Sequence, residues 1–211
     1  MRAASFLLWV TSAFAAADQP PVPSDPHYAA VTGVAAGDVL NIRSGPGIDH
    51  AVVGTLAPGA APVEVTGERG GWARLVAGEG NGWVAARFLT LVPVPRLGDT
   101  LRGLPLGLVC AGTEPFWAIE LEVDGARLSR PDAGETEFSV AAAAPVRGRP
   151  DIETVWFAGP DGLPATLIVR RQYCSDGMSD RTYGYAATFA RESLARPEAF
   201  AGCCRLPLPI D

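Results

Sequence analysis

The sequence predicts an all-β protein with two successive antiparallel units, a small barrel and then a second barrel or sandwich domain with disulfides. Three observations lead to this fold class. The 211 residues include 24 Gly and 19 Pro, a density typical of many turns between short strands. Short apolar stretches alternate with polar residues between these turns, as expected for half-buried strands. No stretch keeps a helical period, although residues 191–200 could form one short helical turn.

The N-terminus has the pattern of a secretory signal peptide, which we predict at residues 1–17. Arg2 supplies a positive charge, and a stretch of apolar and small residues follows it up to Asp18. Two small-x-small sites predict cleavage after Ala15 or Ala17. The stretch is shorter than the roughly 20 residues of a membrane span. We therefore expect an exported chain, periplasmic or secreted, whose mature form has no transmembrane segment.

Composition divides the rest of the chain and limits its partners. We expect a flexible leader at residues 18–27 and a first unit at residues 28–92. A linker with three prolines follows at residues 93–106, and a second unit at residues 107–211. The net charge is −6 and no basic run is present. Nucleic acid is therefore not an expected partner.

Alternation and turn residues predict the strands of the first unit. The turn Gly45-Pro46-Gly47 ends the first strand, because Pro46 restricts φ and Gly47 can adopt the positive φ of a type II turn. Pro58 and Gly59 end the second strand. The predicted strands cover residues 39–42, 52–56, 63–66, 72–76 and 82–85, with residues 87–89 closing a barrel.

Several motifs of the first unit match the pattern of a known family. They are Asn41-x-Arg43-Ser44-Gly45-Pro46-Gly47, Gly54-x-Leu56, Gly59, Trp72 and Gly82-Trp83-Val84. With these motifs, residues 28–92 resemble the bacterial SH3-like domain, a small β-barrel. The resemblance implies a binding or targeting module whose partner is a cell-wall peptide or an envelope protein. One departure is Phe88, where the family pattern has Tyr.

Arg43, Trp72 and Trp83 are the predicted binding residues of the first unit. In strand alternation Ala73 and Val84 point into the barrel, so both tryptophans point outward. Outward indoles beside Arg43 could form a groove that stacks a peptide or a sugar. The alternatives are that the tryptophans pack against a loop or the second unit, and that Arg43 holds the turn by bonding backbone carbonyls.

The second unit is also predicted to consist of antiparallel strands. Asp124-Gly125 is a strong hairpin turn, and Pro160-Asp161-Gly162 marks another. The strands are expected at residues 118–123, 126–129, 138–142, 154–158, 165–173 and 185–191.

All the cysteines, Cys110, Cys174, Cys203 and Cys204, lie in the second unit. In an oxidising compartment an even number suggests disulfides, and four cysteines allow three pairings. A bond between the adjacent Cys203 and Cys204 would be strained, so each is expected to meet a distant partner. There is no CxxC motif, and both histidines are far from the cysteines in the sequence. We therefore predict neither a metal site nor a cofactor.

Two strings of the second unit, with Gly202-Cys203, match the pattern of a second family. The strings are Gly-Thr-Glu-Pro-Phe-Trp at residues 112–117 and Tyr-Cys-Ser-Asp-Gly-Met-Ser-Asp at residues 173–180. With them, the unit resembles an uncharacterised family of bacterial envelope proteins, which implies no activity. The resemblance does imply that Cys174 pairs with Cys203, which leaves Cys110 for Cys204.

The loop that follows Cys174 is the candidate site of the second unit. It carries Asp176 and Asp180, and we expect Glu114 to approach it through the disulfide framework. The two aspartates fall short of a calcium site, which needs about six to eight oxygen ligands. Glu114 and Asp176 could supply the two carboxylates of a glycosidase. The alternative is a hydrogen-bonded loop in which the aspartates cap backbone amides.

The sequence contains no motif for nucleophilic or metal-assisted catalysis. It shows no plausible Ser-His or Cys-His pair, no nucleophile elbow, no zinc-protease motif and no phosphate loop. We therefore expect a non-enzymatic binding or scaffolding protein whose SH3-like domain engages peptidoglycan or an envelope protein. Two alternatives stay open: a carboxylate-dependent peptidoglycan hydrolase, and a carrier that holds a small ligand in the C-terminal barrel.

Overall fold

A computed structural model describes residues 26–78, 80–93, 103–192 and 197–207. The predicted signal peptide, most of the predicted leader and residues 94–102 of the predicted linker lie outside these ranges. Within them, no helix has the length and apolar character needed to cross a membrane.

The first unit is a seven-stranded antiparallel sheet. Its strands are β1 (His27–Val31), β2 (Leu40–Arg43), β3 (Val52–Leu56), β4 (Val63–Arg69), β5 (Trp72–Ala77), β6 (Gly80–Ala85) and β7 (Leu89–Val92), and they lie in the order β3-β2-β6-β5-β4-β1-β7. The strands predicted between residues 39 and 85 are all present. The segment predicted to close the barrel instead begins with a 3-10 turn, Ala86–Phe88, before β7. Strand β1 was not predicted, because its five residues show no alternation; β4 and β7 pair with it on both sides.

The core of the first unit confirms the predicted alternation on β5. Ala73 and Leu75 are fully buried, whereas Trp72 and Arg74 point to the opposite side and are half-buried. Val84 of β6 also points inward and is fully buried. Because side chains alternate along a strand, the outward positions of β5 and β6 form a separate surface.

The second unit is a closed antiparallel barrel of eight strands. They are β8 (Val109–Thr113), β9 (Phe116–Leu121), β10 (Gly125–Arg130), β11 (Gly134–Val146), β12 (Arg149–Ala158), β13 (Pro164–Cys174), β14 (Tyr183–Arg191) and β15 (Glu198–Arg205), in the order β10-β11-β12-β13-β14-β15-β8-β9. The predicted strands are confirmed, but β8 and β15 were not predicted. The helical turn predicted over residues 191–200 is wrong at both ends, because Arg191 and residues 198–200 pair as strands. Closure of the barrel supplies these strands with hydrogen-bonded neighbours on both sides.

Aromatic side chains fill the interior of the second barrel. The centroids of neighbouring rings lie 5.8 to 6.3 Å apart, a spacing typical of packed aromatic pairs. The rings belong to Trp117, Phe138, Phe157, Phe189 and Phe200. Leu104, from the predicted linker, packs into the same core and is 4% exposed. This filled interior argues against a carrier that would hold a ligand at the barrel centre.

Both disulfides connect strand β15 to other strands of the barrel. Cys204 is bonded to Cys110 of β8, and Cys203 is bonded to Cys174 at the end of β13. Consecutive residues of a strand point to opposite faces. Cys204 and Cys110 therefore lie fully buried in the core, and the bond of Cys203 lies outside it. The pairing implied by the family resemblance is confirmed.

We expect the Cys110–Cys204 bond to stabilise the protein more than the Cys174–Cys203 bond. The bonds close segments with sequence separations of 94 and 29 residues, and the longer loop loses more entropy on cross-linking, by about 1 kcal/mol. Urea unfolding of the two double variants, Cys110→Ala with Cys204→Ala and Cys174→Ala with Cys203→Ala, measures the difference against the oxidised parent protein. Equal losses of unfolding free energy in the two variants would contradict this expectation.

Candidate functional site

The three predicted binding residues of the first unit lie together on its outer face. Arg43 of β2 is paired with Trp83 of β6, and Trp83 is paired with Arg74 of β5. These three residues form one row across adjacent strands, and Trp72 lies two residues from Arg74 on the same side of β5. We define the outer face as Arg43, Trp72, Arg74 and Trp83.

Arg43 has the turn-holding role that was one of its two predicted roles. Its Nη1 donates a hydrogen bond of 2.8 Å to the carbonyl oxygen of His50. A second bond of 2.9 Å, from Ser44 N to Ala51 O, closes the same turn. The His50 ring lies so close to Gly45 that any side chain there would overlap it. Arg43 nevertheless stays partly exposed at one end of the outer face.

Trp83 is covered, although its side chain points away from the core of the first unit. It is 7% exposed. The guanidinium groups of Arg69 and Arg74 lie 5.4 and 6.0 Å from the centroid of its ring. Arg74 also lies 5.0 Å from the ring centroid of Tyr173, in the second unit. The centre of the outer face is therefore not an open groove: Trp83 is covered, whereas Arg43, Trp72 and Arg74 stay partly exposed.

The covered centre of the outer face makes hydrogen bonds to a loop of the second unit. The Asn81 side-chain oxygen accepts a bond of 2.9 Å from Thr182 N, and its Nδ2 donates a bond of 2.5 Å to Asp180 O. Arg74 Nη2 donates to Thr182 Oγ1 at 2.7 Å. Arg181 Nε donates to Gly78 O at 3.0 Å. These bonds join strands β5 and β6, and the turn between them, to residues 180–182.

A second contact between the units lies around β1 and β4. The Tyr28 ring packs into the aromatic core of the second unit, and its hydroxyl donates to Pro207 O. Glu64 Oε1 accepts a bond of 3.2 Å from Leu206 N. Burial raises the pKa of Glu64, and the Leu206 N–H and the charge of Arg205 offset only part of the rise. Burial, with a smaller contribution from Glu64, raises the pKa of Tyr28 to about 12.

The predicted loop of the second unit is a hydrogen-bonded turn organised by Asp176. Its Oδ1 accepts bonds of 2.9 Å from Ser179 N and 3.0 Å from Met178 N. Its Oδ2 accepts a bond of 3.1 Å from the Tyr183 hydroxyl. The backbone bond from Ser179 is the largest of the effects that lower the pKa of Asp176. Asp180 is exposed and contributes its carbonyl oxygen to Asn81.

This geometry does not favour the hydrolase alternative. The turn carrying Glu114 lies beside the loop, because Thr113 Oγ1 donates to Asp176 O at 3.3 Å. Glu114 itself is exposed. A general acid needs a raised pKa, whereas the hydrogen bonds to Asp176 hold its carboxylate in the ionised form. Among the residues that the structure describes, no group of three or more His, Cys, Asp or Glu side chains could hold a metal ion.

A small pocket lies at the end of the second barrel. Its volume is about 220 Å³. Leu104 and Val169 form its apolar wall, and Glu153, Arg171 and Tyr185 contribute polar groups. This volume is below the range of roughly 300 to 1,000 Å³ that is usual for ligand sites, so the pocket gives the carrier alternative little support.

Sequence reasoning missed the residues that join the two units. Asn81, Tyr173 and Tyr28 carry no motif of their own, and Asn81 sits in a turn-rich stretch where Asn is common. Tyr173 was noted only as the residue before Cys174. Each acquires its role through contact with a residue distant in the chain, which no local pattern shows.

In a comparison with known proteins, one family matches part of the first unit. Residues 38–90 match the family model of the bacterial SH3 domain. The match includes the outer face and most of the sheet but not β1. No curated protein and no solved structure matches the chain. The resemblance of the second unit to an envelope-protein family therefore stays a prediction.

We expect Glu64→Gln to stabilise the protein at neutral pH. Because folding raises the pKa of Glu64, the native state binds its proton more tightly than the unfolded chain. The unfolding free energy of the parent protein therefore increases as the pH falls from above the raised pKa of folded Glu64 to the unfolded pKa of about 4.3. Glutamine keeps an oxygen acceptor for Leu206 N without the buried charge.

Urea unfolding between neutral pH and pH 4.5 tests this expectation. The advantage of Glu64→Gln over the parent should shrink as the pH is lowered. Glu68→Gln, an exposed position on the same strand, is the control and should show no such trend. A Glu64→Gln variant less stable than the parent at neutral pH would mean that attraction between Glu64 and Arg205 outweighs the cost of burial.

Proposed function

We propose that the protein is an exported, non-enzymatic binding or scaffolding protein whose SH3-like domain engages peptidoglycan or an envelope protein. The observation that carries this proposal is the match of residues 38–90 to the bacterial SH3 domain, a domain class with a binding role. Export is supported by the signal-peptide pattern and by two disulfides, because such bonds persist in oxidising compartments.

The exposed part of the outer face has the chemistry that such a partner requires. Trp72 offers a half-buried indole that can stack on a sugar ring or a peptide side chain. Arg43 offers a guanidinium that can pair with a carboxylate. Both groups lie on strands of the sheet rather than on loops, so they are held in position before a ligand binds.

The neighbouring edge of the sheet adds a surface for an extended peptide. Strand β3 is the outermost strand on the Arg43 side. Its Val52 and Val53 are 50% and 56% exposed, and Val52 is paired with Arg43. An exposed strand edge can add a peptide as a further strand. We place the partner across this edge and Trp72, next to the covered Trp83.

We expect Trp72→Ala to weaken binding to isolated cell-wall sacculi. The substitution removes the exposed aromatic group of the outer face, and loss of such an anchor weakens binding by about tenfold or more. Trp156→Ala is the matched control, because Trp156 is 42% exposed on the second unit. Co-sedimentation over a range of sacculus concentrations measures the effect. Unchanged sedimentation of Trp72→Ala would refute a role for this surface in cell-wall binding.

We expect no release of soluble fragments from sacculi during incubation with the protein. Asp176→Asn should then sediment with sacculi as well as the parent, because asparagine keeps an oxygen that can accept the bonds from Ser179 N and Met178 N. Chromatography of the supernatant measures release. Fragments produced by the parent protein and abolished by Asp176→Asn would establish the hydrolase alternative instead.

A further inference from the structure

The side chain of Asn81 binds the second unit in the way that a strand binds its neighbour. Its amide accepts a bond from Thr182 N and donates one to Asp180 O, at 2.9 and 2.5 Å. One residue of a parallel β-strand would bond the same two main-chain groups, which lie on either side of Arg181. Any extended segment presents these groups whatever its side chains are. Asn81 is therefore suited to hold an extended peptide.

Arg74 adds a site for an aromatic ring beside Asn81. Its guanidinium lies between Trp83 of its own unit and Tyr173 of the second, 6.0 and 5.0 Å from their ring centroids. Arg74 is half-buried, so its cation has lost part of its water, and this burial lowers the pKa of the guanidinium. Attraction between a cation and an aromatic ring is stronger when the cation is desolvated. The face therefore holds an aromatic side chain next to residues 180–182.

The contact also contains two buried polar atoms whose hydrogen bonding is incomplete. Among the described residues, Arg74 Nε and the Tyr173 hydroxyl are buried and form no hydrogen bond of standard geometry, although the two side chains attract each other. Buried polar atoms without partners cost free energy that exposure to water would recover. The contact around Tyr28 lacks this disadvantage, because its hydroxyl bonds Pro207 O and its ring lies in the barrel core. The Tyr173 side is thus the weaker of the two contacts.

We infer that the centre of the outer face is a peptide-binding site that the second unit closes in cis. Tyr173 and residues 180–182 occupy the site, and a partner peptide reaches Trp83 only when the Tyr173 side of the contact opens. The partner is an extended peptide with an aromatic side chain, since its main chain replaces the bonds to Asn81 and its ring replaces Tyr173 on Arg74. Only the cellular origin of this peptide depends on the proposed function; the closure does not.

Substitutions at two glycines of the first unit can test the closure: one should force the units apart at Tyr173, and the other is its control. A side chain at Gly67 of β4 would overlap the Tyr173 hydroxyl. At Gly80 of β6, a Cβ would lie 3.8 Å from Asp180 Cβ, an ordinary contact. Neither glycine has the positive φ that would strain a substitution. Gly67→Val should therefore separate the units on this side, and Gly80→Ala should leave them closed.

The first experiment measures the exposure of Trp83 in the full chain. With 5-fluorotryptophan incorporated, the fluorine signal of residue 83 is assigned from Trp83→Phe, and its relaxation by a soluble gadolinium chelate reports solvent access. We expect a severalfold increase for Gly67→Val and no change for Gly80→Ala, with the buried Trp117 as internal reference. Tyr173→Ala, which leaves the first unit untouched, should give the same increase if Gly67→Val fails to fold. An unchanged Trp83 signal in the folded opened variant overturns the closure.

The second experiment tests whether the opened site binds a peptide in trans. The probe is a synthetic peptide with the sequence of residues 173–184 and the change Cys174→Ser, so that it carries the Tyr173 ring, and NMR spectra of the full chain report its binding. Signals of Asn81 and Trp83 should shift in Tyr173→Ala, in which no side chain takes the place of the ring, but not in the parent or Gly80→Ala. A peptide with Thr182→Pro lacks the N–H that Asn81 accepts and should bind more weakly. An opened variant that shows no shift overturns the peptide site.

The outcomes also separate this inference from the proposed function. If Gly67→Val exposes Trp83 and Tyr173→Ala binds the peptide while Trp72→Ala sediments normally with sacculi, the closed site stands and only cell-wall binding through Trp72 is lost. If sacculus binding depends on Trp72 while Gly67→Val leaves Trp83 protected, cell-wall binding through Trp72 stands and the closed site is refuted.

Discussion

The Cys174–Cys203 bond is the constraint on which the relation between the two units depends. Cys174 ends strand β13, directly after Tyr173 and before the loop organised by Asp176. Its bond to β15 holds both ends of this segment close to the barrel wall, because Cys203 is also paired through β15 with β14. The position of Tyr173 over Arg74, and of residues 180–182 beside Asn81, follows from this anchor. The two adjacent cysteines of β15 thus have different roles. Cys203 anchors the segment after Tyr173, and Cys204 points inward and completes the core.

The two contacts between the units differ in physical character. The contact around Tyr28 shares the aromatic core of the barrel, so it gains from apolar burial. The contact around Arg74 consists of hydrogen bonds, a partly buried cation between two rings and, among the described residues, two polar atoms without a hydrogen bond of standard geometry. Contacts between domains of one chain are often small and polar enough to permit relative motion. The difference makes one side of the molecule a firm attachment and leaves the other suited to opening.

The site on the first unit therefore combines an exposed edge and a covered centre. Arg43, Trp72 and strand β3 are accessible in the closed molecule, while Trp83 is not. The second unit, in turn, has a filled interior and a loop whose carboxylate is committed to backbone bonds. Its described part has the geometry of a rigid support for the first unit.

The sequence by itself determined the all-β class, the two units and most of their strands, and it predicted that Trp72 and Trp83 point away from the core of the first unit. These features depend on alternation and turn chemistry within about ten residues, such as Ala73 and Trp72 on opposite sides of β5, and local patterns record them. Family resemblance supplied the disulfide pairs. Only the tertiary structure decided that β1, β8 and β15 are strands and that Trp83 is covered. The bond between Asn81 and Thr182 joins residues about a hundred positions apart, and its two partners carry no shared signal until both units have folded and docked.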